Sequence, residues 1–209
     1  MLFKDRRDAG QRLAEALKSL KLDSAIAIGL PRGGVVVAAV VASLLHLPLD
    51  VIIPRKIGAP FNPEFAIGAI AGDEVLLNDE AISALGVDAS YIQSEIKKEK
   101  KEAARRLALY RRHLPVQNFI GRTVIVIDDG IASGATMRAS LSYLTKALAQ
   151  RIIVAVPVAP PETIQRLRNE GFEVICLYSP ESFQAVGQFY EEFAQTEDRE
   201  VIQLLESMS

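Results

Sequence analysis

Two carboxylates stand side by side at the end of an apolar run, in Val124-Ile125-Val126-Ile127-Asp128-Asp129-Gly130-Ile131-Ala132-Ser133-Gly134-Ala135-Thr136. The apolar residues predict a buried strand, and open α/β sheets bind ligands at the carboxyl ends of such strands. Neighbouring carboxylates repel, so the pair is costly unless something occupies the space between and beyond them. Ionised carboxylates only accept hydrogen bonds, which suits the vicinal hydroxyls of a ribose. A few residues later, Ser133-Gly134-Ala135-Thr136 opens a helix. Small residues there let backbone N–H groups converge on an anion, the hydroxyls of Ser133 and Thr136 add donors, and the helix start adds partial positive charge. Taken singly, Asp128-Asp129-Gly130 is a turn and Ser133 a helix cap. Taken together after a buried strand, they describe a site for a ribose 5-phosphate.

Two further segments carry suitable groups. Gly29-Leu30-Pro31-Arg32-Gly33-Gly34 follows a short apolar run and combines a strand end, a basic residue and two glycines that expose backbone N–H groups. Arg55-Lys56 follows a second short strand, Leu49 to Ile53. After it, Gly58, Ala59, Pro60, Asn62 and Pro63 predict a loop from Ile57 onward rather than regular structure.

The elements that must position these residues alternate. Asp8 to Leu20 has apolar residues at helical spacing, Ser24 to Ile28 is a buried strand, and Val35 to Leu45 is a helix apolar on all sides. Phe65 to Ala71 and Glu74 to Leu77 flank Gly72-Asp73 as a hairpin. Asn78 caps a short helix that ends at Gly86, and Asp88 caps a long one to about Arg112. A strand at Thr123 to Ile127, a helix to Ala149, a strand at Arg151 to Val158, a helix at Pro161 to Asn169 and a strand at Glu173 to Leu177 complete the pattern. The expected fold is α/β: an open, mostly parallel twisted sheet with helices on both faces and a small hood or hairpin region. One domain over residues 1–209 is expected, with a core of about 24–178.

The acidic segment resembles the PRPP-binding signature of the type I phosphoribosyltransferases (PRPP is 5-phosphoribosyl-1-pyrophosphate): an apolar strand, two acidic residues, a short spacer, then Thr-Gly-x-Thr. Ser133 stands where the family usually has the first Thr and keeps the hydroxyl. The resemblance implies that Asp128, Asp129, Gly130, Ala132, Ser133, Gly134, Ala135 and Thr136 bind the ribose and its 5-phosphate. Pro31, Arg32, Gly33 and Gly34 are similar to the family's pyrophosphate loop, in which the peptide before the basic position, here Pro31–Arg32, is often cis. Arg55-Lys56 is similar to the pair preceding the mobile catalytic loop of orotate and adenine phosphoribosyltransferases. Ile57 to Glu64 would then be the lid, with Arg55 and Lys56 catalytic and Lys56 also on the pyrophosphate. The reaction so implied transfers the phosphoribosyl group to a nitrogenous acceptor and releases pyrophosphate. Mg2+ would be held mainly by PRPP, with Asp128 and Asp129 as candidate ligands, and Asp129 could accept the proton of the incoming base. The hood would be the N-terminal helix, the tail from Ser179 onward, or both. Tyr178 to Gly187 loosely resembles the base-stacking tail of hypoxanthine-guanine enzymes. The step from Phe183 to Gly187 is one residue longer, however, and Ile152 to Val158 lacks the lysine that reads a 6-oxopurine. Both departures argue against purine salvage, and Phe183, Phe189, Tyr190 and Phe193 read more simply as anchors of the tail.

Composition narrows the alternatives. A net charge of −2 and a pI near 5.8 argue against a general nucleic-acid binder. The exception is Glu95 to Arg112, where basic residues outnumber acidic ones beside an apolar stripe. Read as a solvated, packed helix it is structural; read as a binding arm it supports a PRPP-sensing regulator that binds RNA or DNA. A hydrolase acting on a phosphoribosyl compound is a further alternative. Walker A and dinucleotide glycine patterns are absent. Cys176 lies in an apolar run and reads as a buried thiol, while His46 and His113 lack zinc-spaced partners. With no apolar leader pattern and no run of the roughly 18 apolar residues that span a bilayer, the expected location is the cytoplasm. The quaternary state stays open, a homodimer included.

Overall fold

The computed structural model describes residues 2–112 and 115–208, so His113 lies outside the described residues. Five parallel strands form the main sheet: β1 (Ile26–Gly29), β2 (Leu49–Val51), β6 (Thr123–Ile127), β7 (Arg151–Val158) and β8 (Glu173–Tyr178), in the order β2-β1-β6-β7-β8. A second, antiparallel sheet holds β3 (Arg55–Ala59), β4 (Asn62–Ala71) and β5 (Glu74–Leu77) in sequence order. Around them lie α1 (Arg6–Leu17), α2 (Gly33–Leu45), α3 (Asp79–Leu85), α4 (Ala89–Tyr110), α5 (Ala135–Lys146), α6 (Pro161–Asn169) and α7 (Asp198–Glu206).

Alternation along the buried strands divides the interior into two cores. Ala27, Ile125, Ile127, Ile153 and Ala155 face one way and pack with residues of α1, α2, α4 and α7. Ile26, Ile28, Val124, Val126, Val154 and Val156 face the other way and pack with α5 and α6. Continuous apolar strands are therefore required, because side chains at successive positions enter opposite cores.

The strand order also fixes the location of a site. The chain leaves β1 for β2 on one side and later returns to β6 on the other, so the connections after β1 and β6 diverge from adjacent strand ends. Such a switch point is the usual ligand crevice of an open α/β sheet. Gly29 of β1 is paired with Ile127 of β6, and the two chemistry-bearing loops, Leu30–Gly34 and Asp128–Gly134, leave from this shared edge.

The expected loop after Arg55-Lys56 is instead a β-hairpin, β3–β4, closed by Pro60-Phe61. Glycine and proline do not break it because they sit at irregularities. Register shifts flank Gly58, and a Cβ on Gly58 would meet Pro63 backbone atoms at 2.5–2.7 Å. Bulges of this kind accommodate residues that regular ladders exclude. Arg55 and Lys56 accordingly belong to β3, not to the end of β2. The first helix starts two residues earlier than expected because Asp5 caps it, accepting from the backbone N–H groups of Arg7 and Asp8.

The long basic helix α4 pairs many of its charges with neighbours. Glu102 receives Arg105 and Arg106, each at 2.7 Å, and Lys98 pairs with Glu95. Arg111 reaches inward to Asp50, a fully buried carboxylate of β2, through Nε at 3.0 Å and Nη2 at 2.9 Å, and also donates to the Val51 carbonyl. Burial raises the pKa of Asp50 and Arg111 lowers it, with burial the larger effect. Removing one partner of a buried pair strands the other charge, at about 3–5 kcal/mol. Arg111→Ala should cost that much in urea unfolding, whereas Arg105→Ala, from an exposed pair, should cost less than about 1 kcal/mol.

Candidate active site

Sequence places Asp128 and Asp129 immediately after the four buried residues Val124 to Ile127, and the structure packs glycine backbone directly against them. A Cβ on Gly33 would lie 1.9 Å from Asp129 Oδ2, and one on Gly34 would lie 2.7 Å from Asp128 Oδ1 and 2.8 Å from Asp128 Cα. The glycines of the first loop are therefore needed for contact with the acidic pair of the second. The Pro31–Arg32 peptide between β1 and these glycines is cis. The Leu30 N–H donates to the Ile127 carbonyl at 3.0 Å and ties the two loops together at their base.

Helices α2 and α5 both begin here, and both lack a side-chain cap: the cap positions are Arg32 and Gly134. Helices α1, α3 and α4 are capped by Asp5, Asn78 and Asp88, whereas α6 and α7, like α2 and α5, have no side-chain cap. Helices α2 and α5 differ in opening beside the acidic pair. Uncapped helix starts leave N–H donors available to an anion. Gly134 adopts the left-handed conformation, φ 77°, directly before αR residues, the backbone arrangement that turns successive N–H groups inward. Thus Gly134, rather than Ser133, occupies the cap position. Ser133 is exposed and Thr136 half-buried, and among the described residues neither side-chain hydroxyl has a hydrogen-bond partner. The loop itself is held from outside: the Thr163 hydroxyl donates to the Ala132 carbonyl at 2.8 Å, and the Ile131 N–H to the Val158 carbonyl at 2.9 Å.

The N-terminal helix and the C-terminal tail meet at the same place. Arg6 Nε donates to Asp129 Oδ2 at 2.7 Å and Arg6 Nη1 to the Ala194 carbonyl at 2.7 Å. The Arg6 guanidinium also lies over the Phe193 ring, 3.8 Å from its centre. The Tyr190 hydroxyl donates to the Asp129 carbonyl at 2.6 Å, and Val186 fills the space beside Gly130. Rings of Phe3, Tyr178, Phe183, Phe189, Tyr190 and Phe193 pack on one another at 5.0–5.7 Å, so the tail aromatics do anchor it. Both expected hood segments are therefore in contact with the acidic loop.

Burial and the Asp129 charge raise the pKa of Asp128 well above the usual carboxylate range. Burial raises that of Asp129 as well, against the lowering effect of Arg6. Arg32 is set near α7, its Nη1 3.9 Å from Asp198 Oδ1, which also accepts from the Tyr110 hydroxyl. The polar partners of Arg55 and Lys56 lie elsewhere: Arg55 pairs with the buried Glu99 at 2.6 Å, and Lys56 with Glu64 across the hairpin at 2.8 Å. The structure thus brings together residues 31–34 and 128–136 and leaves residues 55 and 56 in separate contacts. Sequence reasoning missed Arg6, Glu99 and Asp198, and it read Tyr190 as an anchor of the tail without its hydrogen bond to the acidic loop. Arg6 is 123 residues from its partner, and no local pattern signals such a pair.

A family model for the phosphoribosyl transferase domain matches residues 7–193. This chain belongs to that family. Two Mycobacterium tuberculosis proteins named "Putative phosphoribosyl transferase" are each 42% identical over 206 residues, 98% of this chain and 46% of their own length. The chain therefore spans about half the length of these curated relatives. The crystal structure of TT1426 from Thermus thermophilus is 44% identical with a TM-score of 0.85, and the match covers all of both chains. A purine phosphoribosyltransferase from Pyrococcus horikoshii shares the fold, with a TM-score of 0.52 at 17% identity over 92% of each chain.

Two outcomes follow from this phosphoribosyltransferase geometry. Gly34→Ala meets backbone of Ile127 and Asp128 that cannot rotate away, so thermal unfolding should show a loss of about 1–3 kcal/mol. The second concerns pH. A carboxyl whose folded pKa is raised keeps its proton where the unfolded chain has released it, so stability falls as pH rises from about 4 through the folded value. Asp128→Asn removes that slope. It should raise Tm at pH 7 by about 2–4 °C for each kcal/mol regained, and the gain should vanish towards pH 4.

Proposed function

We propose that this chain is an enzyme that binds PRPP with Mg2+ and transfers its phosphoribosyl group to a nitrogenous acceptor, releasing pyrophosphate. One observation carries the reading: the glycine backbone of residues 33 and 34 lies against the Asp128-Asp129 carboxylates while two uncapped helices open beside them. Acceptors for sugar hydroxyls and two sets of N–H donors for anions share one crevice, as a ligand with phosphate at both ends of a ribose demands.

In this reading the Gly134–Thr136 helix start holds the 5-phosphate, with Gly130, Ala132, Ser133 and Ala135 shaping the nest. Asp128 and Asp129 take the ribose hydroxyls. Pro31, Arg32, Gly33 and Gly34 hold the pyrophosphate. A nitrogen of the acceptor attacks the anomeric carbon, the carbon–oxygen bond to pyrophosphate breaks with its electron pair, and the acceptor's proton passes to Asp129 or to water. Arg32 and the α2 N–H groups stabilise the charge gathering on the leaving group. Lys56 would join them by exchanging Glu64 for the pyrophosphate as the β3–β4 hairpin closes, which excludes water from the sugar. Arg55, tied to Glu99, would support that strand.

Hard carboxylate oxygens suit Mg2+, and among the described residues no three acidic, histidine or cysteine side chains converge. Asp128 and Asp129 would be the chain's share of a metal held mainly by the substrate's phosphates, and Mg2+ would neutralise and orient the pyrophosphate. The pairing of α4 charges favours transfer over the nucleic-acid-binding alternative. No helix of the described residues is long and apolar enough to cross a membrane.

Calorimetry of PRPP with Mg2+ on the native chain and on Asp128→Asn/Asp129→Asn tests the reading. Mg-dependent binding is expected, with loss of at least tenfold in a double variant shown by circular dichroism to be folded. No binding by the folded native chain would overturn it.

A further inference from the structure

The Arg6–Asp129 pair has no role in the transfer chemistry outlined above, yet it is among the least exposed ion pairs of the structure, with side chains 12% and 14% accessible. Arg6 makes three contacts at once. Nε is on Asp129 Oδ2, Nη1 is on the Ala194 carbonyl, and the flat face of the guanidinium covers Phe193. The missing side chain of Gly33 makes room for the first of these, since a Cβ there would lie 2.6 Å from Arg6 Nε. Asp128 is held in a parallel way, its Oδ1 accepting from the Asp129 N–H at 2.9 Å. One oxygen of each carboxylate is thus held by a donor of the protein, and the two carboxyl groups also touch each other.

We propose that Arg6 is a positioning residue for ribose recognition: by holding Oδ2 it fixes the Asp129 carboxylate so that the remaining oxygen is presented to a sugar hydroxyl. The proposal rests on the phosphoribosyl reading of the site. A planar guanidinium suits the task because its donors diverge at set angles, and three simultaneous contacts leave it no freedom to turn. Lysine would keep the charge but lose the fork, the second tether and the stacking surface. Without Arg6 the Asp129 carboxylate is free to rotate, and discrimination between a ribose and a sugar lacking one hydroxyl falls. A clamp that merely joined α1 to the tail would leave that discrimination intact.

Calorimetry with ribose 5-phosphate, 2-deoxyribose 5-phosphate and 3-deoxyribose 5-phosphate separates these roles, using native protein, Arg6→Gln, Arg6→Lys and the exposed neighbour Arg7→Gln as a charge control. Native protein and Arg7→Gln should prefer the full ribose over at least one deoxy sugar. Arg6→Gln should bind ribose 5-phosphate about 10–100-fold more weakly, the range for a hydrogen bond to a charged group, and its preference should collapse towards unity. Arg6→Lys should fall between. Should Arg6→Gln fail to fold, Arg6→Lys alone decides by the same ratio. Preserved ratios in the Arg6 variants, whether affinity is unchanged or uniformly reduced, would overturn the proposal while leaving the site assignment standing. Failure of the native chain to bind any of the three sugars, or PRPP, would instead overturn the site assignment itself.

Discussion

Two carboxylates on consecutive residues, half-buried at the end of a buried strand, form the constraint around which the rest of this molecule is arranged. Neither solvent nor a lone counter-ion could stabilise them fully in that position, and burial raises the pKa of both. The surroundings respond in three ways. Backbone approaches so closely that only glycine fits at residues 33 and 34, one guanidinium is brought in from the far end of the sequence, and two helix starts turn their N–H groups to the same crevice. Each of these would be ordinary alone. Their coincidence at the divergence point of a parallel sheet is what the proposed sugar-phosphate site rests on.

Much of this was legible in the residue order. The strand and loop of residues 123–134 could be bounded closely because four buried β-branched residues end abruptly in two carboxylates, a change of environment that few other structures would produce. The caps at Asn78 and Asp88 and the strand at Arg151 to Val158 were readable for similar local reasons. What resisted reading was either non-local or masked by composition. Glu99 sits in a run of lysines and glutamates indistinguishable by type, and only the fold shows that it alone turns inward to Arg55. Arg6 belongs to an Arg-Arg pair at a helix start, with nothing to separate it from its exposed neighbour.

The hairpin is the instructive error. Gly58, Pro60 and Pro63 satisfy every local rule for irregular structure, yet the segment forms two strands because the ladder is allowed to slip at Gly58 and the prolines lie at the turn and at the outer end of β4. Its tip carries the fully exposed Phe61. Paired strands joined by a short turn move together, so a closing motion here would swing an arm about the slip at Gly58 rather than reshape a loop. The Lys56–Glu64 pair joins the two strands of that arm on its exposed side.

The N-terminal segment and the C-terminal tail are joined as neighbouring strands would be: the Phe3 N–H donates to the Phe189 carbonyl, and the Glu191 N–H donates back to the Phe3 carbonyl, each at 2.8 Å. This clasp closes a ring that runs from Phe3 to Glu191. Contacts between residues so far apart in sequence reward the chain only after its loop-closure entropy has been spent. During synthesis the acidic pair is made long before the tail that completes its setting has left the ribosome. The apolar strands can therefore collapse before residues 186–194 close over the acidic loop, so the setting of Asp129 is completed by residues made after it.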